Sequence, residues 1–353
     1  VYFVARFGPF CGVDWYPFNG ENWYTLSYHL HQVFKLSMVL DTNKFDRIFS
    51  NHNLLETDGE EYIDPSLAHK GITILYRNSQ YKKKVSLIVN SAVILKGKEM
   101  DAHKLIHKLQ KRISEYFCSR YSLEDFALAE LVLAADINVG DQDTVNAYIR
   151  VIQRIGKVKG FSPACYEDFD EDSSFCLAGN SNGSSFFLYD LRAAMANGFN
   201  GKLVPKDRNT VLRDAKGILR TEVRLRTPKA ICAYSDKCNT SGQIIDLLGR
   251  DTEIFMSVFA QIVPYGDFYK KKDADDIVRQ RVNDLPLRRK MLRLLGLVPE
   301  KKSLLLAQKA MNYREPNKLL IAFADIGVSP VTISKRADAK HLPSLYSYMD
   351  DIH

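Results

Sequence analysis

The sequence predicts an α+β protein, with a mainly antiparallel sheet carrying helices on one face, followed by an all-helical C-terminal domain. Three observations carry this. Short β-rich runs flank turn-forming stretches, and tight turns demand antiparallel neighbours. Between them lie segments whose apolar residues recur at helical spacing. Beyond about Ser241 the pattern is helical almost throughout.

Residues 1–60 read as an aromatic-rich N-terminal extension with one amphipathic helix over 23–39. The α+β core over 61–240 opens with β-rich runs at 71–76 and 85–89. A polar stretch containing Asn78, Ser79 and Gln80 joins them as a hairpin. Residues 101–117 place Leu105, Ile106, Leu109, Ile113 and Phe117 at helical spacing. A strand over 131–139 follows. The next helix, 144–155, has Val145, Tyr148, Ile149 and Ile152 on one face and Asp143 as its N-cap. Strands at 174–177 and 185–189 flank the turn Asn180-Ser181-Asn182-Gly183, and another strand runs over 218–226. Residues 198–209 form a polar loop. Helices over 244–262, 274–282, 285–295, 303–311 and 317–324 fill the C-terminal domain, 241–353. No internal repeat and no low-complexity tract interrupts this order.

Composition bounds the function. With 353 residues, 46% of them hydrophobic, the chain is long enough for two cores. Its net charge of +7 suits a polyanionic partner and equally suits many enzymes. The six cysteines include no C-x-x-C pair, so neither a zinc ribbon nor a dense disulfide framework is indicated. No apolar run approaches the roughly 20 residues of a membrane helix, and the first residues lack the order of a signal peptide. A cytoplasmic protein with no membrane partner is expected. There is no Gly-rich phosphate loop, no G-x-S-x-G and no H-E-x-x-H, so a small-molecule enzyme has no supporting motif.

Polar residues inside apolar strands are the candidates for chemistry, because burying them without partners is costly. They are Asp136 in the first such strand, Tyr189-Asp190 in the second, and Arg220, Glu222 and Arg224 in the third. Alternate side chains share a strand face, so Arg220, Glu222, Arg224 and Arg226 line one side. Asp136, Asp190 and Glu222 converging on one face would suit Mg²⁺ or Mn²⁺; the same residues also read as an Arg/Glu ladder on a solvated face. Basic residues beside aromatics, Lys270, Lys271 and Lys272 after Phe268-Tyr269, suit a nucleic-acid surface or a solvated helix start. His29-Leu30-His31 has the His-hydrophobic-His pattern of DNA-nicking enzymes, in a setting that reads as helical. Residues 319–336 read either as a helix-turn-helix or as a helical hairpin without a DNA role. The first reading places Thr332, Ser334, Lys335 and Arg336 on its second helix, opened by Pro330.

Residues 71–230 resemble the core of rolling-circle replication initiators of plasmid and phage type, including the Rep_trans and filamentous-phage gene-two-like groups. The resemblance is carried by Ala135-Asp136-Ile137, Tyr148-Ile149-Arg150, Leu177-Ala178-Gly179-Asn180-Ser181, Phe187-Leu188-Tyr189-Asp190 and Leu219-Arg220-Thr221-Glu222-Val223-Arg224-Leu225. It implies an initiator that binds a double-stranded origin and nicks one strand through a metal-assisted tyrosine, keeping a 5′-phosphotyrosyl link. Its partners would be origin duplex, the single strand and a host helicase. Asp136 and Glu222 carry over as metal ligands, and Tyr189 or Tyr148 as the nucleophile. The family pattern expects a lysine and soon a glutamate after Tyr189-Asp190, where this chain has Leu191, Arg192, Ala193 and Ala194. That departure keeps open a non-catalytic, sequence-specific DNA-binding or regulatory protein on the same fold.

Overall fold

The computed structural model describes residues 30–40, 61–64, 66–79, 82–97, 100–166, 170–180, 183–198 and 208–349. Nine strands form one antiparallel sheet. In chain order they are β1 (His31–Leu40), β2 (Glu61–Asp64), β3 (Ile72–Ser79), β4 (Lys82–Asn90), β5 (Ala127–Asn138), β6 (Phe161–Pro163), β7 (Ser174–Gly179), β8 (Ser184–Asp190) and β9 (Ile218–Leu225). Across the sheet the order is β2-β3-β4-β1-β5-β9-β8-β7-β6. The α+β class expected from the sequence is what forms.

The largest difference lies in β1. Residues 23–39 were expected to be helical, yet the described part is a strand between β4 and β5, at the centre of the sheet. Its burial explains why: Phe34, Leu36, Met38 and Leu40 are buried on one side while Lys35, Ser37 and Val39 alternate on the other. A period of two with so little polar contrast also satisfies a loose helical period. Hence residues 31–40 belong to the sheet core rather than to an extension.

Most of the helices cover one face of the sheet. They begin with α1 (Ser91–Leu95), α2 (Ala102–Tyr116) and α3 (Gln142–Gln153). The Asp101 carboxylate caps α2 by accepting from Lys104 N at 2.9 Å, and the buried stripe Leu105, Leu109 and Ile113 faces inward. Each such side chain contributes roughly 2 kcal/mol of burial. For α3 the cap is Asp141, accepting from Thr144 N at 2.8 Å, and not Asp143, which sits two residues on, within the first turn. Two short helices, α4 (Leu191–Gly198) and α5 (Arg208–Asp214), connect β8 to β9. They pack on the other face of the sheet, where Leu191, Ala194, Met195 and Leu212 meet Phe187 and Tyr189.

After β9 come α6 (Pro228–Cys232), α7 (Thr240–Leu248), α8 (Asp251–Ile262), strand β10 (Phe268–Tyr269), α9 (Lys271–Arg281), α10 (Leu285–Lys301), α11 (Leu304–Ala310), α12 (Pro316–Asp325) and strand β11 (His341–Leu342). The single helix expected over 244–262 is two, because the chain breaks at Gly249-Arg250 and restarts with Asp251 and Glu253 in the first turn of α8. One buried cluster runs from Leu30, just before β1, to Met349, so the sheet and the C-terminal helices share a core.

The second helix of the expected helix-turn-helix does not form. After α12 the chain turns at Gly327, with φ +68, and runs extended, bridging Asp267 to Val328 and Lys270 to Ile333 in parallel. Val331, Thr332 and Ile333 are buried there. Three consecutive buried residues suit a strand-like segment between neighbours and not a helix with one apolar face. Among the described residues, no helix is long and apolar enough to cross a membrane.

Candidate functional site

The site is built on three neighbouring strands, β5, β9 and β8. Residues paired directly across an antiparallel ladder point to the same face. Asp136 is opposite Arg220, Ala134 opposite Glu222, Tyr189 opposite Arg220 and Phe187 opposite Glu222. One face of these strands therefore carries Asp136, Tyr189, Phe187, Arg220, Glu222 and Arg224. The other carries Leu131, Leu133, Leu219, Val223 and Leu225, which join the core under the helices.

The polar face is closed on itself. Arg220 holds Asp136 through two bonds, Nε to Oδ1 at 2.5 Å and a terminal nitrogen to Oδ2 at 2.7 Å. Arg224 Nε donates to Glu222 Oε2 at 2.7 Å, and its guanidinium lies 4.0 Å from the centre of the Phe187 ring. The Tyr189 hydroxyl donates to Glu222 Oε1 at 2.5 Å. His31 on β1 adds a ring nitrogen 3.5 Å from Asp136 Oδ2. Tyr189 is 1% exposed, Arg220 1%, Glu222 0% and Arg224 3%, so these contacts lie out of water. Burial by itself would raise the Asp136 carboxyl, but the charge and hydrogen bonds of Arg220, with help from His31, outweigh it and hold the group well below the usual carboxylate range. Burial likewise works against the Arg224 cation, and Glu222 more than offsets it, leaving that guanidinium more firmly charged.

The anticipated trio of carboxylates does not assemble. Asp190 pairs with Leu219 and so lies on the opposite face from Asp136 and Glu222. There it accepts from Gln142 Nε2 at 2.5 Å and from the backbone of Arg192 at 2.9 Å and Ala193 at 3.2 Å, tying β8 to the first turn of α4. Burial pushes its carboxyl up. The remaining two do not fit a divalent cation in this arrangement. Every oxygen of Asp136 and Glu222 already accepts from a protein donor, and the donors of three of these four oxygens are arginine nitrogens, which would repel a second cation. No group of three His, Cys, Asp or Glu side chains stands close enough for a metal among the described residues.

The two candidate tyrosines part company. Tyr148 is buried on α3 under the helical face, where its hydroxyl donates to the Pro343 carbonyl at 2.9 Å and its ring meets Phe268 and Tyr348 edge-on. Burial raises its pKa, and Tyr348 adds to the effect. Such a phenol is far from a nucleophile and serves as a tie between α3 and the C-terminal segment. Tyr148→Phe is expected to lower stability by about 1–2 kcal/mol, the cost of stranding a buried carbonyl. Urea unfolding would check this, and a loss below about 0.5 kcal/mol would mean that Pro343 finds another donor.

The expected DNA contacts are scattered. Arg220 and Arg224 are internal, and only Arg226 reaches the surface, with its side chain 37% exposed beside Glu130 at 3.5 Å and Tyr166. Lys270 donates to the Ala337 carbonyl, Lys271 pairs with Asp275, and Lys272 is exposed. Thr332 is buried, while Ser334, Lys335 and Arg336 are exposed. Ser334 and Arg336 line a cleft of about 730 Å³ against α3, with Arg150 and His341 also on its walls.

His31 is the functional candidate whose setting the sequence misjudged. Placed on a strand and not on a helix, it meets Asp136, whereas its companion His29 lies outside the described residues. The Asp136–Arg220 pair was also missed. Its signal was there: Asp136 is an acid within an apolar run and Arg220 a base among the alternating charges of another strand, and two such strands gain by pairing in register. In comparisons with known proteins, no family model and no curated sequence matches the chain.

Proposed function

We propose that this protein is a replication initiator that binds origin DNA in the cytoplasm and nicks one strand by transesterification onto Tyr189. The observation that carries the reading is the 2.5 Å hydrogen bond from the Tyr189 hydroxyl to Glu222, on a sheet face shared with Asp136, Arg220, Arg224 and His31. A phenol attacks phosphorus only as it loses its proton, and a carboxylate at that distance is a general base in place. The Tyr189 oxygen would bond to phosphorus while the bond to the 3′ oxygen breaks. The phenolic proton would pass to Glu222, and the departing 3′ oxygen would take a proton from water. The product is a free 3′-hydroxyl and a 5′-phosphotyrosyl link. Guanidiniums on the same face suit the charge that grows on the phosphoryl oxygens. With Tyr189 1% exposed, strand entry requires this face to open. A host helicase would then unwind the duplex from the nick.

A second reading, a DNA-binding or regulatory protein without chemistry, is favoured by one specific observation. Both carboxylates on this face are already satisfied by buried partners, as in a structural ion-pair ladder.

The test incubates the purified chain with supercoiled DNA carrying its candidate origin, with Mg²⁺, with Mn²⁺ or with EDTA, and resolves the products on denaturing gels. The expected outcome is a nicked circle with protein on the 5′ end, lost in Tyr189→Phe and kept in Tyr148→Phe. The cation arms follow from the initiator resemblance; no step above runs through a metal. Retarded DNA that is never nicked would replace this reading with the second. An adduct that survives in Tyr189→Phe would place the nucleophile elsewhere.

A further inference from the structure

Charge is distributed unevenly along the chain. Residues 270–340 hold 17 Lys and Arg against 8 Asp and Glu, whereas the other 282 residues hold 32 against 34. The whole basic surplus of the protein therefore belongs to α9–α12 and the segment after them.

Part of that surplus is gathered on one pair of helices. α9 and α10 are joined by a short connection at 282–284 and lie side by side. Arg288 donates to the Arg279 carbonyl at 3.1 Å, and Gly296 stands against the Lys271 side chain. The inward residues are Ala274 and Val278 on α9, and Met291, Leu294, Leu295 and Val298 on α10. Opposite them, Lys272 and Arg279 are exposed on α9, and Arg289 and Arg293 on α10. None of these four side chains has a partner among the described residues, in contrast to Lys271 with Asp275 and Lys301 with Glu300. Asp273, Asp276 and Glu300 are the exposed acidic residues on the same sides.

Unpaired, exposed cations clustered on rigid helices repel one another and are relieved by a polyanion. Arg289 and Arg293 stand one turn apart, about 6 Å along the axis, close to two phosphate steps of a strand at about 3.4 Å each. We infer that the α9–α10 pair is the surface that grips the phosphate backbone of duplex DNA, with Arg289 and Arg293 as its central contacts. This rests on the reading of the protein as a DNA-binding initiator. It places duplex binding on helices that carry no base-reading element, so the grip is independent of sequence.

The experiment measures binding of fluorescent duplex DNA by the full chain across a salt series. The variants are Arg289→Glu with Arg293→Glu, Arg289→Lys with Arg293→Lys, and a charge-matched control, Lys104→Glu with Lys229→Glu, on exposed residues of α2 and α6. The glutamate pair is expected to reduce the slope of log affinity against log salt by about 2, with a loss of about tenfold or more near physiological salt. The lysine pair should stay near wild type, because a phosphate accepts any point charge, and the control should move little. An unchanged slope in the glutamate pair, or an equal loss in the control, overturns the assignment of this surface. If wild type itself binds no duplex at low salt, the initiator reading falls as well, which separates the two failures.

Discussion

Arg220→Met is expected to lower the unfolding free energy by about 3–5 kcal/mol at neutral pH, because it leaves the buried Asp136 carboxylate without its bidentate partner. The pair is 1% and 7% exposed, so water cannot take the place of the guanidinium. The pH dependence gives this prediction its signature. In the wild type the Asp136 carboxyl is held below its unfolded value, so its contribution is complete above about pH 4 and is lost as the pH falls below that. In the variant, burial without Arg220 raises the group above its unfolded value, and the folded state binds the extra proton. Stability then declines as pH rises from about 4 towards neutrality, the reverse slope. A ring nitrogen of His31, at 3.5 Å, remains beside the carboxylate. Urea unfolding at acidic and neutral pH reads the effect directly. An equal loss at both pH values would show that Arg220 acts by packing and not by charge. Replacing both partners, Arg220→Met with Asp136→Leu, should recover most of the stability, since an apolar pair of similar volume is often neutral.

Gly217→Ala is expected to cost about 2–3 kcal/mol, from two sources. Gly217 has φ +79, where a side chain is strained, and an added Cβ would stand 2.6 Å from the Gly140 carbonyl oxygen and 2.8 Å from its carbon. That close approach is where the turn entering β9 touches the turn leaving β5, with Val139 N bonded to Gly217 O at 2.9 Å. It sets the ladder that brings Asp136 opposite Arg220 three residues further in. Gly140→Ala is the matched control. Its φ is +97 but nothing lies within 4 Å of the added carbon, so the strain alone remains, about 1 kcal/mol. Thermal unfolding of the two variants compares them. Equal losses would mean that the backbone contact yields freely and does not fix the register.

Periodicity made most elements of this fold legible. The strands at 72–79, 82–90, 127–138, 184–190 and 218–225 and the C-terminal helices lie close to where apolar spacing put them. Local rules suffice there, because each element buries one face and its sequence records which. β1 was not legible by the same rule. A ten-residue strand with Lys35 and Ser37 on its second face gives a signal that a helical template also accepts, and only its pairing with both β4 and β5 settles the matter. The helix-turn-helix failed for a related reason. Gly327 and the Ser/Thr-rich segment after it have local helix-start chemistry, but bridges to Asp267 and Lys270 hold that segment extended.

By itself the sequence determined the α+β class, the basic character and the polar residues in apolar strands, since composition and alternation are local properties. Alternation also placed Arg220, Glu222 and Arg224 on one face. Register between strands was decided by tertiary structure alone. It put Asp190 across the sheet from Asp136 and Glu222, and it set Tyr189 against Glu222 and Asp136 against Arg220. A shift of one residue in that ladder would have reversed each of these outcomes, because a strand's side chains change face at every step.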